Sequence, residues 1–539
     1  MSPPDVDVGD ELPLTLPRLL AARADAHPDK HFVVCDASKL GYTAVERRSA
    51  ELARALLAVG AGKGTHVGVL MPNSPEFVLV CLAAMRIGAV AVPLHAFSKP
   101  DELGGLLRAA DVEIVVSARQ WRSHDCQQTL SGAIEGLDLA SGGVVQSAAV
   151  PLLRHLYIDA PSGPVHRDHH LAFLLDAATR VDEEVLASIE LDVMPSDPAV
   201  IVFTSSSMGT PTGVVYNHGP LIRHLDNLCS VRRFAVDEIV FSDSPWFWTG
   251  GFAYALIATL VAGTRLVCSN DDVHPQDPTL RHQPYGFAET AGVCLAHTDP
   301  SELPEHPRGS VGRPVPGFEA KIVDPDTGAD CHTDEIGELW LRSPLSMDGY
   351  CGRERFDVFE PDGWLRIGER FHRDSDGRFH FHGTAPGSRQ QSESIDTGPT
   401  LPALLRDHAR QIGSRPAMVH DDASISYREL DQRSHQLACR LVAAGIGKHV
   451  RVGLLMPNGI DWAIVACALM RVGAVLVPLS TLLKPPELEA QLRGASVTHL
   501  IAARRYRGRD YLDEIAQREP ALLELGSARL RHPRLPALR

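Results

Sequence analysis

The residues best suited to chemistry lie between Ala199 and Tyr216. An apolar run, Ala199-Val200-Ile201-Val202-Phe203, reads as a strand and feeds into Thr204-Ser205-Ser206-Ser207, with Gly209, Pro211 and Gly213 close behind. Hydroxyls and backbone N–H groups crowded into a glycine-punctuated bend can converge on an anion, so a phosphate cradle is one expectation. The same composition suits an ordinary surface turn, and the segment alone leaves both open. Two carboxylates follow downstream, Glu289 within Pro284-Tyr285-Gly286-Phe287-Ala288-Glu289-Thr290 and Glu369 at the end of Asp362-Gly363-Trp364-Leu365-Arg366-Ile367-Gly368-Glu369. Between them and the bend, Pro245-Trp246-Phe247-Trp248-Thr249-Gly250-Gly251 sets bulky aromatics beside paired glycines. That segment is expected to line a pocket through Trp248, Gly250 and Gly251, the alternative being a buried aromatic cluster.

The wording of the bend resembles the nucleotide loop of the adenylate-forming superfamily, which includes acyl-CoA synthetases, peptide-synthetase adenylation domains and luciferases. Phe203, Thr204, Ser205, Ser207, Gly209, Pro211 and Gly213 match that loop in register. Ser206 stands where the family has glycine, Met208 where it has threonine and Thr212 where it has lysine. Ser206 lacks the conformational freedom of glycine, and the lysine's absence removes a cation from beside the phosphates. Further segments continue the resemblance in family order: Tyr285 to Thr290, Gly309 to Gly328, Gly337 to Arg342, Gly349-Tyr350, Asp362 to Glu369, and the hairpin wording Asp374 to Gly383. Ala288 replaces a family threonine, and Glu369 stands where the family has aspartate.

The resemblance implies roles. Thr204, Ser205, Ser206, Ser207, Gly209, Thr212 and Gly213 would meet the phosphates of ATP, Tyr285 and Gly286 the adenine, Glu369 the ribose, and Glu289 a catalytic Mg²⁺. CoA would be the co-substrate and a carboxylic acid, with a fatty acid favoured, the other substrate. The implied fold is an α/β, multi-lobed adenylation domain with parallel α/β layers.

The elements that must position these residues show an internal repeat. Val67-Gly68-Val69-Leu70-Met71-Pro72-Asn73 recurs as Val452-Gly453-Leu454-Leu455-Met456-Pro457-Asn458, and Met85-Arg86-Ile87-Gly88 recurs as Met470-Arg471-Val472-Gly473, both at an offset of 385 residues. A period this long indicates a duplicated domain portion rather than a solenoid. Each copy predicts a helix after Tyr42, a strand over 67–71, a helix over 75–86 opened by Pro75 and closed by Gly88, and a strand over 89–94. The expected organisation is a truncated adenylation domain over 1–384, a polar linker over 385–400, and a partial second copy of its N-terminal lobe over 401–539. Only a short stretch separates Leu266-Val267 from Tyr285, so part of the second lobe is expected to be missing, and Thr384-Ala385-Pro386-Gly387 leads into the linker where the family has a lid.

Composition narrows the classes. The chain has 539 residues, 44% of them apolar, and a net charge of -15, which suits a multi-domain globular protein and argues against a nucleic-acid partner. Ten cysteines are scattered without Cys-x-x-Cys spacing, so neither a disulfide framework nor zinc is expected, and a reducing cytoplasm fits. Apolar runs near 77–94 and 462–479 are broken by Arg86, Gly88, Arg471 and Gly473, so no transmembrane segment is expected. Gly60-Ala61-Gly62-Lys63-Gly64 reads as a turn rather than a Walker loop, because Gly64 occupies the Ser/Thr position. Asp374-Ser375-Asp376-Gly377 lacks the bidentate glutamate of a calcium loop, Ala385 standing there. His166-Arg167-Asp168-His169-His170 reads as a solvated loop. Two functions remain: an ATP-dependent acid–thiol ligase, or a non-catalytic nucleotide- or acyl-binding protein that keeps the fold.

Overall fold

The computed structural model describes residues 12–36, 38–204, 211–232, 234, 238–242, 244–268, 285–297, 310–384, 400–420, 423–503, 505–506 and 509–511. The chain forms two compact units, residues 1–395 and 396–539.

Among the described residues the first unit has three larger sheets, beside the two-stranded ribbon Gln120–Trp121 and His124–Asp125. In a four-stranded sheet the order is Ile239–Ser242, Arg265–Cys268, His31–Cys35, Ser38–Gly41. The second sheet runs Gly349–Tyr350, Gly213–Asn217, Pro198–Phe203, Val90–Pro93, His66–Leu70, Ile114–Ala118, His155–Asp159. Its last five strands are mutually parallel, and Gly213–Asn217 runs antiparallel to both its neighbours. The third, wholly antiparallel, sheet orders Tyr285–Phe287, Gly292–Ala296, Ser310–Pro314, Phe379–Thr384, Leu365–Arg373, Gly337–Arg342, Glu319–Val323.

Local sequence explains the helix Pro75–Arg86. Ser74 caps it by accepting from the Phe77 N–H at 3.1 Å, Pro75 needs no N–H partner in the first turn, and Gly88 adopts φ 68° just past its end. Every residue of this helix except Glu76 is buried, which is why the rest of its sequence is apolar on all sides up to Arg86. Arg86 at its end is 4% exposed and is held by Glu46 at 2.8 Å, Glu190 at 2.5 Å and the Ser49 hydroxyl at 3.2 Å. A buried guanidinium needs this degree of pairing. The expected strands are observed at His66–Leu70 and Val90–Pro93.

Strand pairing also joins Cys35 to Cys268 as a disulfide, which the cysteine spacing did not foretell. The two residues are 233 positions apart in sequence but face each other in adjacent parallel strands, with 4.9 Å between Cα atoms.

In the second unit, helix Leu401–Gln411, hairpin Pro416–His420 and Ala423–Ser426, helix Tyr427–Ala443, strand Arg451–Leu455, helix Ile460–Arg471, strand Val475–Pro478, helix Pro485–Gly494 and strand His499–Ala502 follow in order. Each starts 385 residues after an element of the first unit that begins at Leu16, His31, Ser38, Tyr42, His66, Pro75, Val90, Pro100 or Ile114. Arg471 repeats the Arg86 arrangement through Asp431 and the Ser434 hydroxyl. Burial does not repeat. Leu16, Leu19 and Val90 are 0%, 0% and 1% exposed, whereas Leu401, Leu404 and Val475 are 62%, 37% and 45% exposed. In the first unit Val90–Pro93 also pairs with Pro198–Phe203, Ile114–Ala118 with His155–Asp159, and His31–Cys35 with Arg265–Cys268. Among the described residues the second unit has no counterpart of those outer strands.

No helix among the described residues is long and apolar enough to cross a membrane. The stretch 269–284, where a deletion is expected, lies outside the described residues. The nearby strand Ile239–Ser242 is a sheet edge, with Ile239 55% exposed.

Candidate functional site

Parallel strands leave a crevice beyond their carboxyl ends, where open α/β sheets bind ligands. Asn73, His95 and Thr204 follow the adjacent parallel strands His66–Leu70, Val90–Pro93 and Pro198–Phe203 at that end. The neck of the hydroxyl-rich bend is closed there: the Thr204 N–H donates to the Thr212 carbonyl at 3.0 Å and the Thr212 N–H to the Thr204 hydroxyl at 3.2 Å. Ser205, Ser206, Ser207 and Gly209 lie outside the described residues. At Gly213 a Cβ would come within 2.9 Å of Ile201 and 3.0 Å of the Cys351 sulfur, so the glycine lets the hairpin pack against the strand Gly349–Tyr350.

That short strand links the bend to the first carboxylate. Tyr350 pairs with Val214, and its hydroxyl donates to Glu289 Oε1 at 2.7 Å. Glu289 sits half-buried in the 3₁₀ turn Ala288–Thr290. Three contacts fix the turn: the Met347 N–H donates to the Glu289 carbonyl at 3.0 Å, the Ala291 N–H to the Tyr216 hydroxyl at 2.7 Å, and the Thr290 hydroxyl to the Gly292 carbonyl at 2.7 Å. Burial pushes the Tyr216 phenol well above its usual range, so it stays protonated.

Immediately before this turn, Tyr285 donates its hydroxyl to Glu369 Oε2. Its ring packs against Phe287, Phe371 and Phe381 at 5.3, 5.3 and 5.4 Å between centroids, and Glu369 is 6% exposed. Gly286 admits no side chain, because a Cβ there would run into the Gly292 carbonyl of the facing strand. Thr204, Thr212, Gly213, Glu289, Tyr285, Gly286 and Glu369 thus belong to one connected structure, although strands far apart in sequence carry them.

The aromatic segment is anchored separately. Asn73 Oδ1 accepts from the Trp246 N–H at 2.8 Å and Asn73 Nδ2 donates to the Ser244 carbonyl at 3.0 Å, while Trp246 is buried against Phe77. Trp248 is 43% exposed, with its ring parallel to His95 at 6.0 Å. Burial lowers the His95 pKa. Gly251 departs from its expected use. A Cβ there would meet the Pro245 carbonyl, so its missing side chain lets the chain turn tightly into the helix Gly250–Ile257 rather than opening a pocket.

Sequence reasoning gave no role to Asn73, Tyr350, Tyr216 or His95. Asn73 stood within the repeated Met-Pro-Asn wording and Tyr350 within a family-like segment, but nothing local shows what either touches. Other motifs resolve simply. Lys63 pairs with Asp197 at 2.7 Å. Asp374 Oδ1 accepts from the Asp376 and Arg378 N–H groups, making the hairpin turn with Gly377 at φ 78°. His169, expected in a solvated loop, is 3% exposed and lies between the Leu156 and Ser141 carbonyls.

Among the described residues no three His, Cys, Asp or Glu side chains are grouped to hold a metal. Mg²⁺ commonly takes only one or two carboxylates and completes its shell with substrate phosphates and water. Glu289, half-buried and accepting from the Tyr350 hydroxyl, is a single carboxylate in this region.

The family model described as AMP-binding enzyme matches residues 20–283, 276–351 and 405–532. The chain is 25% identical over 429 residues to the sulfoacetate–CoA ligase of Cupriavidus necator, covering 69% of this chain and 78% of that protein. It is 23% identical over 428 residues to the mitochondrial medium-chain acyl-CoA ligase ACSF2 of Mus musculus, covering 66% and 68%. Its fold superposes on ATP-bound MatB from Rhodopseudomonas palustris with a TM-score of 0.53 at 21% identity, covering 68% of this chain and 78% of that one. Taken with the α/β scaffold and the family-like segments gathered around its strand ends, these matches show that the chain belongs to the AMP-binding enzyme family and has acid–CoA ligases among its relatives.

Proposed function

We propose that residues 1–384 form an ATP- and Mg²⁺-dependent acid–thiol ligase of the acyl-CoA synthetase type, with a fatty acid as the favoured substrate. The substrate carboxylate attacks the α-phosphorus of ATP, giving an acyl-adenylate and pyrophosphate; the thiol of CoA then attacks the acyl carbon, and AMP leaves as the thioester forms. Such chemistry depends on alignment and charge neutralisation more than on covalent help from the protein. Thr204, Thr212 and Gly213, with Ser205, Ser206, Ser207 and Gly209, would hold phosphates, Tyr285 and Gly286 would border the adenine, and Glu369 would bind the ribose. Glu289 would hold Mg²⁺, which supplies charge neutralisation at the phosphates when bound. Trp248 would border the acid. The observation that carries this reading is the hydrogen-bonded path from Thr204 through Thr212 and Gly213 to Tyr350 and Glu289, with Tyr285 and Glu369 adjoining it.

The regular 385-residue displacement of nine elements supports reading 401–539 as a partial second copy of the N-terminal lobe, joined by a linker over 385–400.

Pyrophosphate exchange by the full chain with Mg²⁺ and a panel of medium- and long-chain acids tests the reading. Acid-dependent exchange is the expected result. Thr212 in place of lysine and Ala288 in place of threonine favour a second reading, a non-catalytic nucleotide- or acyl-binding protein. Silence across the panel with ATP binding intact would select it.

A further inference from the structure

The hairpin that carries Glu369 has a second face. The strand Phe379–Thr384 alternates phenylalanine with histidine through Phe379-His380-Phe381-His382, and the facing strand Leu365–Arg373 carries Phe371-His372. Phe371 and Phe379 are 0% and 2% exposed on the core side, while His372, His380 and His382 share the opposite side. His372 lies directly across from His380, and His382 is two residues farther along. The His372 and His380 rings are parallel at 4.5 Å between centroids, and His372 Nδ1 is 2.5 Å from His382 Nε2. His380 Nε2 is 2.9 Å from Asp374 Oδ2, and His372 Nε2 is 4.0 Å from Asp334 Oδ1.

The geometry points to His372 and His382 as a two-histidine chelate for a divalent ion of the zinc, nickel and copper class. Neutral imidazole is the preferred ligand of these ions. Two ring nitrogens at 2.5 Å are as close as a shared proton brings them and closer than a shared metal sets them. Bonds of about 2.0–2.1 Å in tetrahedral geometry place two nitrogens roughly 3.3 Å apart, so the rings must separate by less than about 1 Å. His382 is exposed and His372 partly so, which leaves their side-chain torsions room to adjust. Among the described residues no third protein ligand converges as the side chains stand, since Asp374 engages His380, so water completes the shell. Asp334 faces the far nitrogen of His372, where a carboxylate orients the ring of a metal-binding histidine. A polar strand face alone does not explain the pattern, since any hydrophilic residues would satisfy it. The bound ion cross-links the two strands three residues from Glu369.

The test titrates the full chain with Ni²⁺ alone and with Zn²⁺ alone, reading binding by calorimetry and hydrogen exchange over residues 365–384. His435 and Cys439, with 3.9 Å between Nε2 and Sγ, offer a rival site, so the parent for the titration carries Cys439→Ser. The expected result is a saturable site that slows exchange in the hairpin and weakens at least tenfold in both His372→Ala and His382→Ala. His382→Gln, at the exposed position, guards against a folding defect. Unchanged affinity and exchange protection in these variants, or no saturable binding below millimolar ion, overturns the proposal.

Discussion

Leu16→Ala and Leu401→Ala delete the same three carbons from the first residue of two helices that start 385 positions apart, yet their costs should differ several-fold. Leu16 is 0% exposed within the main core. Three buried carbons at about 0.8 kcal/mol each give about 2.4 kcal/mol of lost transfer energy, and the cavity left behind brings the total to about 3–5 kcal/mol. Leu401 is 62% exposed, so a little over a third of the transfer term applies and no closed cavity forms. Its loss should be about 1 kcal/mol. Urea denaturation of the full chain, resolved by hydrogen exchange on peptides covering 12–26 and 400–411, separates the two units. A Leu401→Ala cost as large as that of Leu16→Ala would refute the reasoning, because the helix Leu401–Gln411 would then have to be covered in solution.

Three other outcomes follow from the geometry. Glu369→Gln should weaken nucleotide binding about 10- to 100-fold if its carboxylate meets the ribose, as expected for a lost charge-assisted hydrogen bond; calorimetry showing equal affinity removes Glu369 from the site. Reducing Cys35–Cys268 should cost the first unit about 2–5 kcal/mol, because the disulfide closes a loop of more than two hundred residues; identical thermal midpoints with and without reductant would contradict this. Burial pushes His218 and His224 down to about 4, so the unfolded chain binds more protons between about pH 6.5 and 4. Stability should therefore fall as pH drops through that window, by up to about 3 kcal/mol per histidine, and a flat urea midpoint between pH 7 and 4.5 would count against the buried neutral rings.

Much was legible because its causes are local. The helix Pro75–Arg86 has the expected bounds, set by Ser74, Pro75 and Gly88 within a few residues. The hairpin turn at Asp374 follows likewise from short-range chemistry. Gly251 was legible as a special position, but its purpose was not, since only the approach of the Pro245 carbonyl shows what the missing side chain admits.

From the sequence alone came the α/β character, the family-like order of motifs and the positions of the repeated elements, because backbone preferences and apolar periodicity act over a few residues. Tertiary structure alone decided that Cys35 meets Cys268, that Tyr350 holds Glu289, that Asn73 ties down Trp246, and that the same leucine is buried at 16 and exposed at 401. Those outcomes depend on which distant strands and helices come to lie alongside, and neither strand register nor burial is a property of the segment itself.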